Sequence, residues 1–287
     1  MKILVTGAGG LVGSLIVERA KADHDVRGLA RAELDVTDPG AVKSAVREFS
    51  PHVVLHCAAH TDVDDAESNP ERALEVNAEA TEHVAVAARE RGASLVYVST
   101  DYVFDGKGAT PYRESDATEP LSSYGISKLE GERRVENACP EDFIIVRTGW
   151  LYGVGKGFVD WARARLVASE ELPVVDDQKG SPTYAGDLAD ALLGLATGAH
   201  RGVFHFVNQG EATWLDLGCA VAEELGQSTA LLKPIAGETL NRPAPRPAYS
   251  ALSVGHYETT TGKPVRSWRD ALKAYLLMAE GGLRENE

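Results

Sequence analysis

The sequence predicts an α/β fold: a doubly wound parallel sheet followed by a smaller C-terminal lobe. Three observations predict it. Over residues 1–150, short apolar runs alternate with stretches of helical periodicity, and a glycine-rich turn follows the first run. Over residues 151–287 the alternation becomes less regular. We therefore expect a dinucleotide-binding domain at 1–150 and, at 151–287, mainly a substrate-binding lobe with some elements that return to the first domain.

The chain opens with a strand and the glycine-rich turn. The apolar, β-branched run Lys2–Thr6 predicts the strand, and Gly7-Ala8-Gly9-Gly10-Leu11-Val12-Gly13 follows it directly. Gly7 can make the tight turn, Gly10 lets the backbone approach a pyrophosphate, and Gly13 permits close helix packing. Unpaired N–H groups at the start of the next helix favour anionic oxygens. The turn therefore predicts a dinucleotide phosphate site, formed by Gly7, Gly10, Leu11, Val12 and Gly13.

The remaining elements follow in chain order. Asp38-Pro39 indicates a helix N-terminus, because aspartate caps the first turn and proline suits its first position. The other helices are predicted from apolar periodicity or alanine content, and the strands from apolar runs. The predicted strands are 25–30, 53–56, 94–99, 143–148 and 203–207. The predicted helices are 11–20, 39–49, 70–91, one that carries Tyr124 and Lys128, 158–168, 184–197, 213–225 and 267–279.

Small and polar residues follow four of the predicted strands. These segments are 7–13, 57–61, 99–101 and 148–150. The carboxyl ends of parallel strands meet at one edge of a doubly wound sheet, and ligands bind at that edge. We therefore expect the four segments to form one site.

Tyr124 and Lys128 form the pattern Tyr-Gly-Ile-Ser-Lys. Residues four apart on a helix share one face, with about 5–6 Å between Cβ atoms. A free tyrosine has a pKa of about 10, and a neighbouring ammonium favours the phenolate and lowers the pKa. The pair predicts a proton relay that operates at neutral pH.

Charge and hydropathy exclude several classes of function. A net charge of −14 argues against nucleic acid and anionic membranes as partners, because both attract basic surfaces. No apolar run reaches the roughly 18 residues that a membrane span needs. The first apolar run is also too short for a secretion signal. We expect a cytoplasmic enzyme of one compact unit or two closely joined lobes, and a homodimer is left open.

Cysteine and histidine spacing indicates neither disulfides nor a metal site. The three cysteines are far apart in sequence: Cys57, Cys139 and Cys219. His52 and His56 flank a predicted strand, so they lack the helical geometry that ligation by residues four apart requires. We therefore expect no metal.

Several blocks of sequence carry a family resemblance. They are 58–67, 99–106, 124–132, 147–153, 177–183 and Arg246-Pro247 before 250–252. In this order they resemble the extended short-chain dehydrogenase/reductases, which have a Rossmann-like fold, and more narrowly the dTDP-4-dehydrorhamnose reductase family. The blocks Ser-Thr-Asp-Tyr-Val-Phe and Asp-Gln-Lys-Gly-Ser-Pro-Thr are specific to this group. The resemblance covers the chain almost from end to end.

The resemblance implies NADPH-dependent reduction of the 4-keto group of a dTDP-linked 4-keto-6-deoxyhexose. It implies dTDP-4-dehydrorhamnose as substrate and dTDP-L-rhamnose, a precursor of cell-surface polysaccharide, as product. Tyr124 would donate the proton, while Lys128 would hold the nicotinamide ribose and stabilise the phenolate. Thr100 would orient the substrate carbonyl, with Ser99 as its competitor for this role.

Cofactor preference depends on the end of the second strand. This strand ends without an acidic residue that would bind a ribose 2′-hydroxyl, whereas Arg31 would favour a 2′-phosphate. NADPH is therefore expected, with NADH as the alternative because Glu33 lies close by. Asp35 and Val36 resemble the pair that meets adenine in this superfamily. The other cofactor contacts that the resemblance implies are Cys57, Ala58, Ala59, Thr61, Ser99, Tyr124 and Lys128.

Substrate contacts are implied by the same blocks. They are Tyr102, Val103, Phe104, Trp150, Gln178, Pro182, Thr183 and Arg246. Arg246 is the candidate clamp for the pyrophosphate, because a guanidinium fork matches paired phosphate oxygens. Gly149 departs from the family pattern, in which serine is expected.

Two other functions are compatible with the same scaffold. A nucleotide-sugar epimerase or dehydratase is one, although the Asp-Glu pair that such dehydratases carry does not follow Thr100. A non-catalytic NADP-binding regulatory subunit is the other, and the intact set of Thr100, Tyr124 and Lys128 argues against it.

Overall fold

The computed structural model describes residues 1–153, 155 and 157–284. Its strands are β1 (Lys2–Thr6), β2 (Asp25–Leu29), β3 (Val53–His56), β4 (Ser94–Thr100), β5 (Phe143–Thr148), β6 (Leu151–Tyr152), β7 (Leu172–Val175), β8 (Lys179–Gly180), β9 (Thr183–Tyr184), β10 (Gly202–His205), β11 (Ala212–Thr213) and β12 (Leu232–Ile235). Its helices are α1 (Leu11–Ala20), α2 (Pro39–Phe49), α3 (Val63–Ser68), α4 (Pro70–Leu74), α5 (Ala80–Arg91), α6 (Ser123–Ala138), α7 (Phe158–Val167), α8 (Ala185–Thr197), α9 (Trp214–Glu224), α10 (Gly255–Thr261) and α11 (Trp268–Arg284).

A six-stranded parallel sheet forms the centre of the molecule. Its strand order is β10-β5-β4-β3-β1-β2. Alternate residues of β1 point to opposite faces: Ile3 and Val5 pack with α1 and α8, whereas Leu4 packs with α2 and α5. Both faces are therefore buried, which explains the continuous apolar runs of the strands. The predicted doubly wound sheet is confirmed.

The order in which successive strands are added to the sheet reverses at β1. β2 lies on one side of β1 and β3 on the other, with Thr6 paired to Leu29 and to His56. In sheets of this kind a crevice opens at the carboxyl ends of the strands, at the point where the order reverses. This crevice is where the predicted glycine turn lies.

The second half of the chain contributes one strand to the sheet and a separate apolar cluster. β10 pairs with β5, close to the predicted strand 203–207. The separate cluster includes Tyr152, Leu172, Leu217 and Trp268. Short strand pairs border it: β6 with β9, β8 with β11, and β7 with β12. The sequence did not predict these pairs, nor helices α3 and α10.

The predicted helix 70–91 is interrupted by a π-helical turn at Glu75–Glu79, between α4 and α5. Asn77 is fully buried in this turn. Its side chain accepts a hydrogen bond from His60 N at 2.8 Å and donates to Ser127 Oγ at 2.9 Å. Its main-chain oxygen accepts the Tyr97 hydroxyl at 3.1 Å. The turn thus joins the segment after β3 to α6 and β4.

Within the described residues, none of the helices has both the length and the apolarity to span a membrane.

Close packing of α6 on the π-helical turn gives a stability prediction. A Cβ at Gly131 would lie 2.3 Å from Asn77 O and 2.4 Å from the Tyr97 hydroxyl oxygen. We expect Gly131→Ala to lower the free energy of unfolding by about 1–3 kcal/mol, because overpacking forces the backbone apart. Gly255→Ala is the control, since its Cβ would meet the Ser253 hydroxyl oxygen at an ordinary 3.7 Å. Urea denaturation measures both, and equal stabilities of the two variants would contradict the packing argument.

Candidate active site

A cavity of about 1030 Å³ lies at the carboxyl ends of β1, β3, β4 and β5. The structure brings the four predicted segments together around it. The predicted site residues that line it are Gly7, Gly10, Leu11, Val12, Gly13, Arg31, Asp35, Val36, Cys57, Ala58, Ala59, Thr61, Ser99, Thr100, Tyr102, Tyr124, Lys128 and Trp150.

The glycine turn has a geometry that side chains would prevent. Gly7 has a φ of +70°, and a Cβ there would lie 2.5 Å from Ala58 N. A Cβ at Gly13 would lie 2.4 Å from Gly7 O. Gly10 N donates to Gly7 O at 2.9 Å and closes the turn. The turn therefore leaves backbone exposed to the cavity at the N-terminus of α1, a form that fits the phosphates of a dinucleotide.

The segment after β2 lines the cavity beside the glycine turn, since Ala8 N donates to Leu29 O at 3.1 Å. Glu33 accepts a hydrogen bond from Ala30 N at 2.9 Å, so its carboxylate is held against its own turn. Asp35 accepts the Thr37 hydroxyl at 2.7 Å, and this bond lowers the pKa of Asp35. Arg31 and Arg72 both line this part of the cavity. Arg72 was not predicted from the sequence, because a single arginine in a predicted helix gives no signal.

Thr100 and Tyr124 meet at the centre of the cavity. Thr100 ends β4, and Tyr124 lies in the first turn of α6, which the Ser122 hydroxyl caps. Burial raises the pKa of the Tyr124 phenol, and the neighbouring Thr100 hydroxyl opposes that rise. The phenol is therefore neutral and holds its proton at physiological pH.

Lys128 is buried beneath the cavity, with 2% of its surface exposed. Its Nζ donates to Val98 O at 2.8 Å and lies 4.0 Å from the centre of the Tyr97 ring. Burial lowers the pKa of Lys128 to about 7. The expected lowering of the Tyr124 pKa by Lys128 is wrong for this structure: the ammonium is directed to Val98, and desolvation dominates at the phenol.

Ser99 and Thr100 have different partners. The Ser99 hydroxyl donates to Glu132, whose carboxylate also pairs with Arg147 at 2.7 Å. Glu132 and Arg147 are almost fully buried, and the Ser99 hydroxyl proton is used in the bond to this pair. Thr100 is the hydroxyl that lies next to Tyr124.

Trp150 lines the cavity as part of an aromatic stack. Its ring lies parallel to that of Trp214, with 3.6 Å between centroids, and Phe158 packs on Trp214 at 5.2 Å. A Cβ at Gly180 would lie 2.4 Å from the Trp150 indole, so glycine is needed there. Trp214 begins α9 and also lines the cavity. Trp214 was not predicted from the sequence, in which an aromatic residue at a helix start is the only signal.

Other predicted substrate contacts lie away from this cavity. Val103 and Phe104 are 0% and 1% exposed, and Phe104 stacks on Tyr112 in the core. Pro182 and Thr183 are also buried. Gln178 lies near Gly237 instead. The prediction that Val103 and Phe104 contact the substrate is therefore wrong: Val103 ends a short 3₁₀ helix (Asp101–Val103), and the side chains of Val103 and Phe104 both pack in the core.

Arg246 is already paired with a carboxylate. Its guanidinium contacts both oxygens of Asp64 in α3, with Nη2 2.8 Å from Oδ2, and donates to Ala244 O at 2.7 Å. The pair lowers the pKa of Asp64. Arg246 also lies beside Tyr102, which lines the cavity. The predicted clamp is thus next to the cavity, but part of its hydrogen-bonding capacity is used within the protein.

The histidines considered as metal ligands have separate structural partners. His56 is hydrogen-bonded to Thr6 and Thr81, and burial lowers its pKa to about 3. His52 accepts Lys2 N at 2.7 Å. Across the described part of the chain, no group of three or more His, Cys, Asp or Glu side chains is arranged to hold a metal ion.

Comparison with known proteins identifies the family. The family described as the RmlD substrate binding domain matches residues 1–280. The chain belongs to this family. A dTDP-4-dehydrorhamnose reductase of Streptomyces griseus is 44% identical to this RmlD-family chain over 279 residues, which are 94% of this chain and 91% of the relative. The resemblance inferred from the sequence blocks is confirmed.

Two further proteins resemble this RmlD-family chain. A probable dTDP-4,6-dihydroxy-2-methyloxan-3-one 4-ketoreductase of Streptomyces antibioticus is 43% identical over 95% of this chain and 94% of its own length. The crystal structure of dTDP-4-dehydrorhamnose reductase from Bacillus anthracis in complex with NADP superposes with a TM-score of 0.93. It is 33% identical, and the match covers 96% of this chain and 99% of that one.

The buried lysine of this RmlD-family chain gives a pH-dependence prediction. Unfolded Lys128 keeps its ordinary pKa of 10.5, whereas the folded pKa is about 7. Between these values the unfolded chain holds a proton that the folded chain lacks, so this group makes stability rise with pH. The free energy of unfolding of the wild type minus that of Lys128→Met should therefore increase from about pH 7 to about pH 10.5. Urea denaturation at several pH values tests it, with Lys43→Met, which removes an exposed ammonium, as the control. A constant or falling difference would contradict the prediction.

Proposed function

We propose that this chain is an NADPH-dependent sugar-nucleotide oxidoreductase that reduces dTDP-4-dehydrorhamnose to dTDP-L-rhamnose. The observation that carries the proposal is the meeting of Thr100, Tyr124 and Lys128 with the glycine turn at one cavity, in a chain of the RmlD family. Residues 1–150 would bind the cofactor, and residues 151–287 would mainly form the lobe that covers the sugar nucleotide.

When bound at this cavity, NADPH would supply the hydride for the carbonyl carbon. Tyr124 supplies the proton for the carbonyl oxygen as general acid. Its buried phenol holds this proton at neutral pH, because desolvation raises its pKa. The phenol does not release this proton to water. It donates the proton to the negative charge that develops on the substrate oxygen. Thr100, beside the phenol, is placed to hydrogen-bond the same oxygen.

Lys128 acts from its buried position beneath the cavity. With a pKa lowered to about 7, its amine can hold or release a proton near neutral pH. Nζ donates one hydrogen bond to Val98 O, and its remaining N–H groups would donate to the nicotinamide ribose. A protonated Lys128 also favours the phenolate that remains after proton transfer.

The adenosine end supports NADPH over NADH. Arg31 and Arg72 both line that end of the cavity and favour a 2′-phosphate. Glu33 is held by Ala30 N, so it is less able to bind the ribose 2′-hydroxyl that NADH carries. The NADP complex of the Bacillus anthracis reductase agrees with this preference.

The sugar nucleotide would lie on the other side of the nicotinamide. Trp150, held by its stack with Trp214, offers an apolar face to the hexose, and Tyr102 offers a phenol beside Arg246. The 4-ketoreductase name of a second relative supports keto-sugar reduction over epimerisation. Cytoplasmic location and a homodimer stay predictions.

Removing the Tyr124 hydroxyl tests the acid role. We expect Tyr124→Phe to lower kcat by a factor of about 10²–10⁴, the usual contribution of a positioned proton donor, with NADPH affinity within about twofold of the wild type. The measurements are NADPH oxidation with dTDP-4-dehydrorhamnose and fluorescence titration of NADPH. Tyr257→Phe is the matched control, because it removes the hydroxyl of a buried tyrosine that does not line the cavity, and its kcat should equal that of the wild type. Turnover by Tyr124→Phe equal to that of the wild type would overturn the assignment.

The Arg246 clamp makes a second prediction. We expect Arg246→Ala to raise KM for the sugar nucleotide about tenfold or more, through loss of charged hydrogen bonds, and to change KM for NADPH less than about twofold. Asp64→Asn is the matched variant, because it breaks the pair but keeps the guanidinium, and it should leave KM for the sugar nucleotide near the wild-type value. If both variants raise this KM equally, the pair is only structural.

A further inference from the structure

The carboxyl group of Asp101 lies at the cavity without a role in the mechanism above. Asp101 follows Thr100 directly, lines the cavity and is 2% exposed. Its Oδ1 accepts the Thr100 hydroxyl at 3.0 Å. Its Oδ2 is buried and has no hydrogen-bond partner among the described residues. An unpaired buried carboxylate oxygen is costly, which is typical of a functional group.

Gly149 provides the space that this carboxyl group occupies. A Cβ at Gly149 would lie 2.6 Å from Asp101 Cγ and 2.7 Å from Oδ2. A side chain at position 149 would therefore push the carboxyl group out of its place. Glycine at position 149, where the family pattern has serine, therefore leaves the space that the Asp101 carboxyl group fills.

The carboxyl group controls what the Thr100 hydroxyl can donate to. A hydroxyl has one proton and two acceptor sites. In the structure the proton goes to Asp101 Oδ1, while Tyr102 N donates to the oxygen at 3.2 Å. With an ionised Asp101, Thr100 has no proton left for a substrate oxygen. A protonated carboxyl group reverses the bond, because it donates to Thr100 and releases the Thr100 proton.

We propose that Asp101 is a positioning residue that sets the hydrogen-bond direction of Thr100, and that its protonated form directs the Thr100 proton to the keto oxygen beside Tyr124. This inference rests on the proposed reduction. The step is one proton exchange: an O–H bond forms on the Asp101 carboxyl group as a hydronium ion in the cavity gives up its proton and becomes water, and Thr100 keeps its own O–H bond and changes only the acceptor. Hydride and proton transfer to the substrate are as described above.

The surroundings of Asp101 are consistent with a proton on its carboxyl group. Burial raises its pKa to about 6, and the neighbouring hydroxyl groups of Ser250 and Thr100 oppose the rise. Phenols face it from its own turn, Tyr102, and from α6, Tyr124. Ser250 faces it from the C-terminal segment, and β5 presents the Gly149 backbone.

Steady-state kinetics of the wild type and Asp101→Asn test the proposal. In the wild type, kcat should fall about tenfold between about pH 6 and about pH 8 as Asp101 ionises. The Asn amide donates to Thr100 at every pH, so the ratio of kcat of the wild type to kcat of Asp101→Asn should fall about tenfold over this range, whereas the titration of Lys128, with a pKa of about 7, contributes to both profiles alike. Parallel pH profiles, displaced by a constant factor, would overturn the proposal, because a merely structural role predicts them.

Two further variants test whether Asp101 acts through Thr100 and whether the position of its carboxyl group matters. In a Thr100→Val background, Asp101→Asn should no longer alter the pH profile, because Thr100 is the group through which Asp101 acts. Gly149→Ala displaces the carboxyl group without changing its chemistry, and it should also flatten the profile. A wild-type profile for Gly149→Ala would contradict the coupling. Absence of any NADPH oxidation by the wild type would instead contradict the proposed reduction, so the two failures are distinguishable.

Discussion

The site depends on the parallel pairing of β1, β3, β4 and β5. Because all four strands run in one direction, their last residues lie at the same edge of the sheet. Segments that are far apart in sequence, from Gly7 to Trp150, therefore meet at one cavity. The order reversal at β1 opens the crevice, and the close approach of Gly7 to Ala58 brings the glycine turn against the segment after β3. Without this pairing these segments would not meet.

Burial decides the protonation state of each group at this edge. Desolvation raises the pKa of Tyr124 and of Asp101 and lowers that of Lys128. All three changes favour the neutral form, which keeps a proton on the acid and a low charge in the cavity. Nearby charges have a smaller effect than burial in this site. The pKa of the Tyr124 phenol is therefore set mainly by desolvation and not by the ammonium group of Lys128.

The sequence predicted the sheet and the cavity because both depend on local signals. Apolar runs and the glycine turn are readable in a single sequence. Partners distant in sequence are not: the pairing of β7 with β12 joins short strands that each contain a proline. The same applies to Arg246, whose motif predicted a phosphate clamp while its nearest anion is Asp64. The Ser-Thr-Asp-Tyr-Val-Phe block also gave no sign that Val103 and Phe104 point into the core while their neighbour Tyr102 lines the cavity.

Hydride transfer from the cofactor to the sugar is the central claim, and an isotope label tests it most directly. NADPH that carries deuterium at both C4 positions of the nicotinamide is incubated with the protein and dTDP-4-dehydrorhamnose, and the product is examined by NMR. The account predicts deuterium at C4 of a dTDP-L-rhamnose product, with one NADPH oxidised for each sugar reduced. Unlabelled product, or conversion of the sugar without net oxidation of NADPH, would contradict it.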